Sequence, residues 1–194
     1  MVEAMRIISQ EGLGALSLRD VARRLNISHQ APYKHFQSRE HILAEVISRA
    51  FSDFTRHLER TVQSRAVQSP DGDPKEALAT IGRAYLEYAL QNPLQYRLMF
   101  ETPLPDFKEH PGLADKAGQP FSILKEAIRA IRKDVTEKDL TMAALFAWST
   151  VHGVASITQS GSFVALGLQE AQELSEAIQY VMSRVCTVVS NKAP

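Results

Sequence analysis

Residues 26–40, NISHQAPYKHFQSRE, gather Gln30, Tyr33, Lys34, His35 and Arg39 on a segment too short and too polar to build a core. These side chains suit recognition better than bond-making. Arg and Lys meet phosphate or guanine, Gln pairs with an adenine edge, and Tyr and His donate to phosphate oxygens. The charge around them agrees. Between residues 17 and 39, Arg19, Arg23, Arg24, Lys34 and Arg39 stand against Asp20 alone, although the whole chain has a net charge of zero. Such a local excess is a footprint suited to phosphate. The same residues could also form the solvated face of an ordinary helical bundle, and composition alone does not separate the two readings.

Covalent chemistry has little to work with. GLGALS, residues 12–17, resembles half of a dinucleotide-binding loop, but it follows a helical pattern rather than a strand and lacks the third Gly. His29, His35 and His41 recur every six residues, which puts successive side chains on different helix faces, and no Cys joins them. Cys186 sits among Val181, Val185, Val188 and Val189 and reads as a core thiol. The expectation is no enzyme, no metal and no cofactor. One Cys excludes an internal disulfide and fits a reducing cytoplasm. No apolar run is expected to reach the roughly 18 residues of a membrane span.

The elements that must position these residues read as helices throughout. Residues 2–11 place Ala4, Ile7 and Ile8 on one face, and Gly12 stops the helix. Ser17 opens a capping-box-like start with Asp20 three positions on, and Leu18, Val21, Ala22 and Leu25 form one apolar stripe. Asn26 suits a left-handed close. Ser28 is the next cap candidate, for a short helix over about 29–36 distorted by Pro32. Ser38 caps a long helix running to about Gln63, through Leu43, Val46, Ile47, Ala50, Phe51 and Phe54. Residues 69–75 form a turn, helices follow at about 75–91 and 93–101, and 102–120 reads as a long irregular connection. Further helices are expected at about 120–133, 136–160 and 168–190.

Residues 11–46, EGLGALSLRDVARRLNISHQAPYKHFQSREHILAEV, strongly resemble the N-terminal domain of TetR-family transcriptional regulators. The marks are the Gly12 stop, Ser17-Leu18-Arg19-Asp20-Val21-Ala22, Leu25-Asn26-Ile27-Ser28, Tyr33-Lys34-His35-Phe36, and Ser38-Arg39-Glu40. The resemblance implies an all-α protein of about nine helices. A three-helix helix-turn-helix domain, 1–46, would precede a ligand-binding and dimerisation domain, 47–194. It would repress by binding a palindromic double-stranded DNA operator as a homodimer and be released by a hydrophobic or aromatic small molecule of unknown identity. Carried over by position, Ser17 and Arg19 match phosphate- or base-touching sites. Ser28, His29, Gln30, Tyr33 and Lys34 match the recognition helix, and His35 and Arg39 match phosphate clamps. Phe36 matches a core position. Asn26 stands where the family usually has Gly. The first helix starts almost at Met1, where relatives commonly have a basic arm, so minor-groove contacts are either unused or lie outside this sequence.

The second half resembles a TetR C-terminal subfamily marked by Trp-x-x-x-His-Gly, here Trp148, His152 and Gly153. It implies an effector pocket, with Phe54, Tyr85, Tyr88, Met99, Phe100, Phe121, Phe146, Trp148 and His152 as candidates. Each taken alone reads as core before it reads as ligand-facing, and His152 is either a structural histidine joining helices or a ligand hydrogen-bond partner. Leu174, Ile178, Val181, Val185 and Val188 repeat at 4, 3, 4, 3, a seam that wants a partner helix. With Ala147 and Val151 on the preceding helix, it is the expected dimer interface, closing as a four-helix bundle on a two-fold axis.

Overall fold

The computed structural model describes residues 1–69, 71–167 and 171–191, with eight α-helices, three short 3₁₀ turns and no strand among them. α1 (Val2–Glu11) ends at Gly12, whose φ of 85° only Gly adopts without strain. α2 (Leu18–Arg24) starts as expected. The Ser17 hydroxyl accepts from the Asp20 amide at 3.1 Å and donates to the Asp20 carboxylate at 2.6 Å. α2 closes in a Schellman motif. The Ile27 amide reaches the Ala22 carbonyl and the Asn26 amide the Arg23 carbonyl, with Asn26 left-handed at φ 52°. Leu25 is 49% exposed, so it leaves the buried stripe that its spacing suggested, because the helix has already closed by that residue.

The expected helix over 29–36 is instead a turn followed by a 3₁₀ helix, Pro32–Lys34. Pro32 has no N–H to give the Ser28 carbonyl, which accepts from Ala31 instead. The bonds that follow, Tyr33 to Gln30, Lys34 to Ala31 and His35 to Pro32, keep the tighter i→i−3 pattern.

α3 (Arg39–Gln68) is capped by the Ser38 hydroxyl on the His41 amide at 3.1 Å. α4 (Pro74–Gln91), α5 (Pro93–Phe100), α6 (Pro111–Ile131), α7 (Glu137–Gln159) and α8 (Ala171–Ser190) follow. α6 corrects the expectation of irregular chain over 102–120. Pro111 occupies the first helical position, where no N–H is needed, and Pro120 lies inside the helix, removing one bond. The last helix begins at Ala171, and residues 168–170 of the expected span lie outside the described residues.

The chain forms two compact units. One comprises Met1–Asp53 with Leu94–Ala117, and the other Phe54–Pro93 with Gly118–Pro194. The first is built on Ile7, Leu16, Val21, Ile42 and Ile47, together with Tyr96, Leu98, Met99 and Leu113 from its second segment. The Phe51 and Phe100 rings meet edge-on at 5.7 Å across those two segments. In the second unit α4, α7 and α8 pack on one another. A Cβ at Gly82 would fall 2.3 Å from the Met182 sulfur and 3.8 Å from Val151, so α4 lies close against α8 and α7 here because position 82 has no side chain.

α7 is long and apolar enough, by length and composition, to cross a membrane, against the expectation that no segment would be. Its apolar residues divide between two faces. Leu140, Ala144, Ala147, Val151 and Ala155 are buried within the unit, whereas Met142, Leu145, Phe146 and Ile157 are exposed.

Candidate nucleic-acid interface

The helix-turn-helix residues lie in the first unit, and internal bonding sorts them. Arg24 is committed. It pairs with Glu11 and, at 3.7 Å, with Glu3, which is buried and also bonded to Arg6 at 3.0 Å. This network ties α2 to α1. Arg23 pairs with Asp20, and the Ser17 hydroxyl, followed by Arg23, holds the Asp20 carboxyl below its ordinary value. Two of the five cations that formed the positive footprint are therefore locally neutralised.

Arg39 is also engaged. Its Nε donates to the Leu16 carbonyl at 3.0 Å and its Nη2 to the Leu13 carbonyl at 2.8 Å. It stitches the first turn of α3 to the 3₁₀ turn Leu13–Ala15, which leaves Nη1 for any phosphate. Arg39→Ala is expected to lower stability by about 1–3 kcal/mol, because two carbonyls lose a charged donor. Thermal unfolding checks this. Unchanged stability combined with a DNA-binding salt slope smaller by about one would return Arg39 to a purely phosphate-binding role.

The remaining residues face outward. Arg19, Ser28, His29, Gln30, Lys34 and His35 are exposed, as is Tyr33 at 50%. Among the described residues no side-chain hydrogen bond or ion pair engages Arg19, Gln30, Tyr33 or Lys34. Pro32 is buried beneath them, and the turn packs on α2, so the polar side chains project from an anchored backbone. Phe36 is half-buried against His41, with ring centroids 5.7 Å apart, consistent with a packing role. Among the described residues no group of three or more His, Cys, Asp or Glu could hold a metal ion.

The effector candidates separate. In the second unit Phe121, Trp148, His152, Tyr85, Phe54 and Tyr88 form a chain of ring contacts with centroid spacings of 4.9–6.4 Å. His57, absent from the sequence reading, extends the chain at Tyr88, 5.5 Å away. Its position one turn after Phe54 on the same helix was the only signal for it. Tyr85 Oη and His152 Nδ1 lie 2.9 Å apart, bridging α4 and α7. Phe54, Tyr85 and Tyr88 are buried. Met99 and Phe100 belong to the other unit, where the Phe100 ring packs on Tyr96 at 5.0 Å. Phe146 is 43% exposed on the outer side of α7, away from the ring chain.

The interface candidates also divide. Ala147, Val151 and Val185 are buried inside the protomer, with Val151 facing Gly82. Leu174, Ile178 and Val181 are half-buried and Val188 is exposed. The uncovered apolar face consists of Met142, Leu145, Phe146 and Ile157 on α7, with Tyr180 and Val188 on α8.

Comparison with known proteins agrees with this architecture. The family described as "Bacterial regulatory proteins, tetR family" matches residues 1–46, and "Tetracyclin repressor-like, C-terminal domain" matches residues 78–182. Over 106 residues the chain is 28% identical to an HTH-type transcriptional regulator of Mycobacterium tuberculosis, covering 55% of this chain and 44% of that protein. The chain thus spans less than half the length of the curated relatives it matches. A solved Rhodococcus sp. RHA1 protein of unknown function is similar at TM-score 0.78 and 22% identity, covering 98% of this chain and 93% of its own. The TetR family transcriptional regulator PfmR from Thermus thermophilus is similar at TM-score 0.63 and 20% identity, covering 95% of each chain. At these identities the likeness to solved structures is one of fold.

Proposed function

This chain belongs to the TetR family of bacterial regulatory proteins, and we propose that it is a homodimeric, ligand-responsive repressor that binds a palindromic operator in the cytoplasm. The observation that carries the reading is the set of Arg19, exposed and unengaged in the first turn of α2, and Gln30, Tyr33 and Lys34, exposed and unengaged on the turn that follows, with the backbone held by the Ser17 cap, the Asn26 close and buried Pro32. Gln30 reads a base edge, and Arg19 and Lys34 meet phosphate or guanine. Tyr33, His29 and His35 donate to the backbone. Two such turns in a dimer meet successive major grooves about 34–36 Å apart on one face of B-DNA.

Selection of duplexes from a random pool by the purified protein tests this reading, with an inverted repeat as the expected product. If no duplex binds tighter than random DNA at moderate salt, the chain is a helical binding protein that keeps the fold without operator recognition. Tyr33→Ala and Lys34→Ala are each expected to weaken operator binding without unfolding the protein. A base reader costs roughly 1–3 kcal/mol and relaxes specificity at one position, whereas a phosphate contact weakens all sequences alike and lowers the salt slope. Gln30→Ala is expected to change the preferred sequence. Unaltered affinity in the Tyr33 and Lys34 variants removes the assignment.

The effector site is proposed along the ring chain of Phe121, Trp148, His152 and Tyr85, where the Trp148-x-x-x-His152-Gly153 element supplies two members. Half-buried Phe121, Trp148 and His152 offer ring surface to an aromatic or apolar ligand, and the Tyr85–His152 pair offers the polar handle. α3 contributes Phe54 to this chain, and its first turn carries Arg39. A ligand that favours the DNA-incompetent state weakens DNA binding, and DNA weakens ligand binding by the same factor. The second copy is proposed to cover the exposed face of α7 and α8.

A further inference from the structure

We propose that the cleft between the second half of α3 and the first half of α4 binds a small, multiply charged anion such as a phosphate ester or polycarboxylate. This site lies within the second unit and does not rest on the reading of the DNA interface. Helices that face each other normally present apolar sides, and lower down these do, through Phe54, Leu58 and Leu78. Beyond Leu58 the two faces turn polar and border an open groove of about 510 Å³. That volume falls within the range of roughly 300–1,000 Å³ usual for small-molecule sites, yet no apolar side chain lines it.

Charge identifies the ligand class. Arg60, Arg65 and Arg83 line the cleft against the single carboxylate of Glu76. Two of the guanidinium groups are already ordered. Arg65 Nη2 donates to the Asp73 carbonyl at 3.1 Å, and Arg83 Nη2 is held by Glu76 and by the Thr80 hydroxyl at 2.9 Å. Each keeps donors in hand, and Arg60 has no side-chain partner among the described residues. Guanidinium forks converging on one groove match paired oxygens of phosphate or carboxylate. His57 forms the inner end, its Nε2 3.1 Å from the Ala84 carbonyl. Because His57 also stacks near Tyr88, an occupied cleft adjoins one end of the ring chain.

Calorimetric titration of the whole protein with inorganic pyrophosphate tests the site. Saturable binding is expected, weakened at least tenfold in Arg60→Gln/Arg83→Gln. The charge-matched control Lys133→Gln/Lys138→Gln is expected to bind as the parent does. Circular dichroism establishes that each variant folds, and Arg60→Gln alone, which removes no internal bond, decides the matter if the double variant does not; it is expected to weaken binding about threefold. Absence of saturable binding to the parent, or equal weakening in the control, overturns the proposal. Loss of operator affinity together with pyrophosphate affinity in the cleft variant also overturns it, because the cleft would then serve a nucleic-acid backbone.

Discussion

Phe146→Glu is expected to convert the proposed dimer into a folded monomer. Phe146 stands with Met142, Leu145 and Ile157 on the outer face of α7, beside Tyr180 and Val188 of α8, all between 39% and 61% exposed. A face of that composition on a helix apolar enough to span a membrane favours covering, and in the proposed dimer a second copy would supply a matching face about a two-fold axis. Symmetry places the new carboxylate in the interface twice. A central hot-spot residue is worth about 2 kcal/mol or more, so two weaken association by about 4 kcal/mol, roughly a thousandfold. Light scattering after size exclusion measures the mass, and an unchanged dimer at micromolar concentration would move the interface elsewhere. Operator affinity is expected to fall with dimerisation, since one half-site alone remains.

Phe54→Ala is expected to lower stability by about 3–5 kcal/mol, the usual cost of emptying an aromatic site in a packed core. The ring is 1% exposed, edge-on to Tyr85 at 5.1 Å and tilted against Tyr88 at 4.9 Å. For a chain of this size that corresponds to a fall in Tm of about 6–20 °C. Phe54→Leu is expected to lose much less, because most of the volume stays. The contrast separates two roles for the ring. A loss below about 1 kcal/mol in Phe54→Ala would mean that it lines an open cavity and that the effector reaches α3 directly.

What could be read from the residues follows the range of the interaction. Gly12, Ser17, Asn26 and Ser38 act on neighbours within three or four positions, and each forms the stop or cap that its type suggested. Pro32 likewise declares its effect locally, although it converts the helix to 3₁₀ rather than bending it. The breaker rule fails at α6, because Pro111 sits at the one helical turn that tolerates it and the helix carries Pro120 in its interior. Roles set by distant partners were not legible. Arg24 and Arg39 looked free in the sequence, but Glu11 lies 13 residues away, and the carbonyls of Leu16 and Leu13 lie 23 and 26 residues away. α7 is apolar on two sides, so periodicity alone could not assign Ala147 and Val151 to the inner face or Phe146 to the outer one.

The discontinuity of the first unit sets the order of events during synthesis. Residues 1–53 emerge from the ribosome before the segment carrying Tyr96, Leu98, Met99 and Leu113, and residues 54–93 come between them. At the ordinary elongation rate of roughly 5–20 residues per second, this leaves Phe51 and its neighbours waiting about 2–8 s for the rings that will cover them. The nascent helix-turn-helix segment therefore passes through a stage with exposed apolar surface, when a chaperone can capture it. The proposed competence to recognise DNA arrives only after all of α4 and α5 and the first turn of α6 have been made.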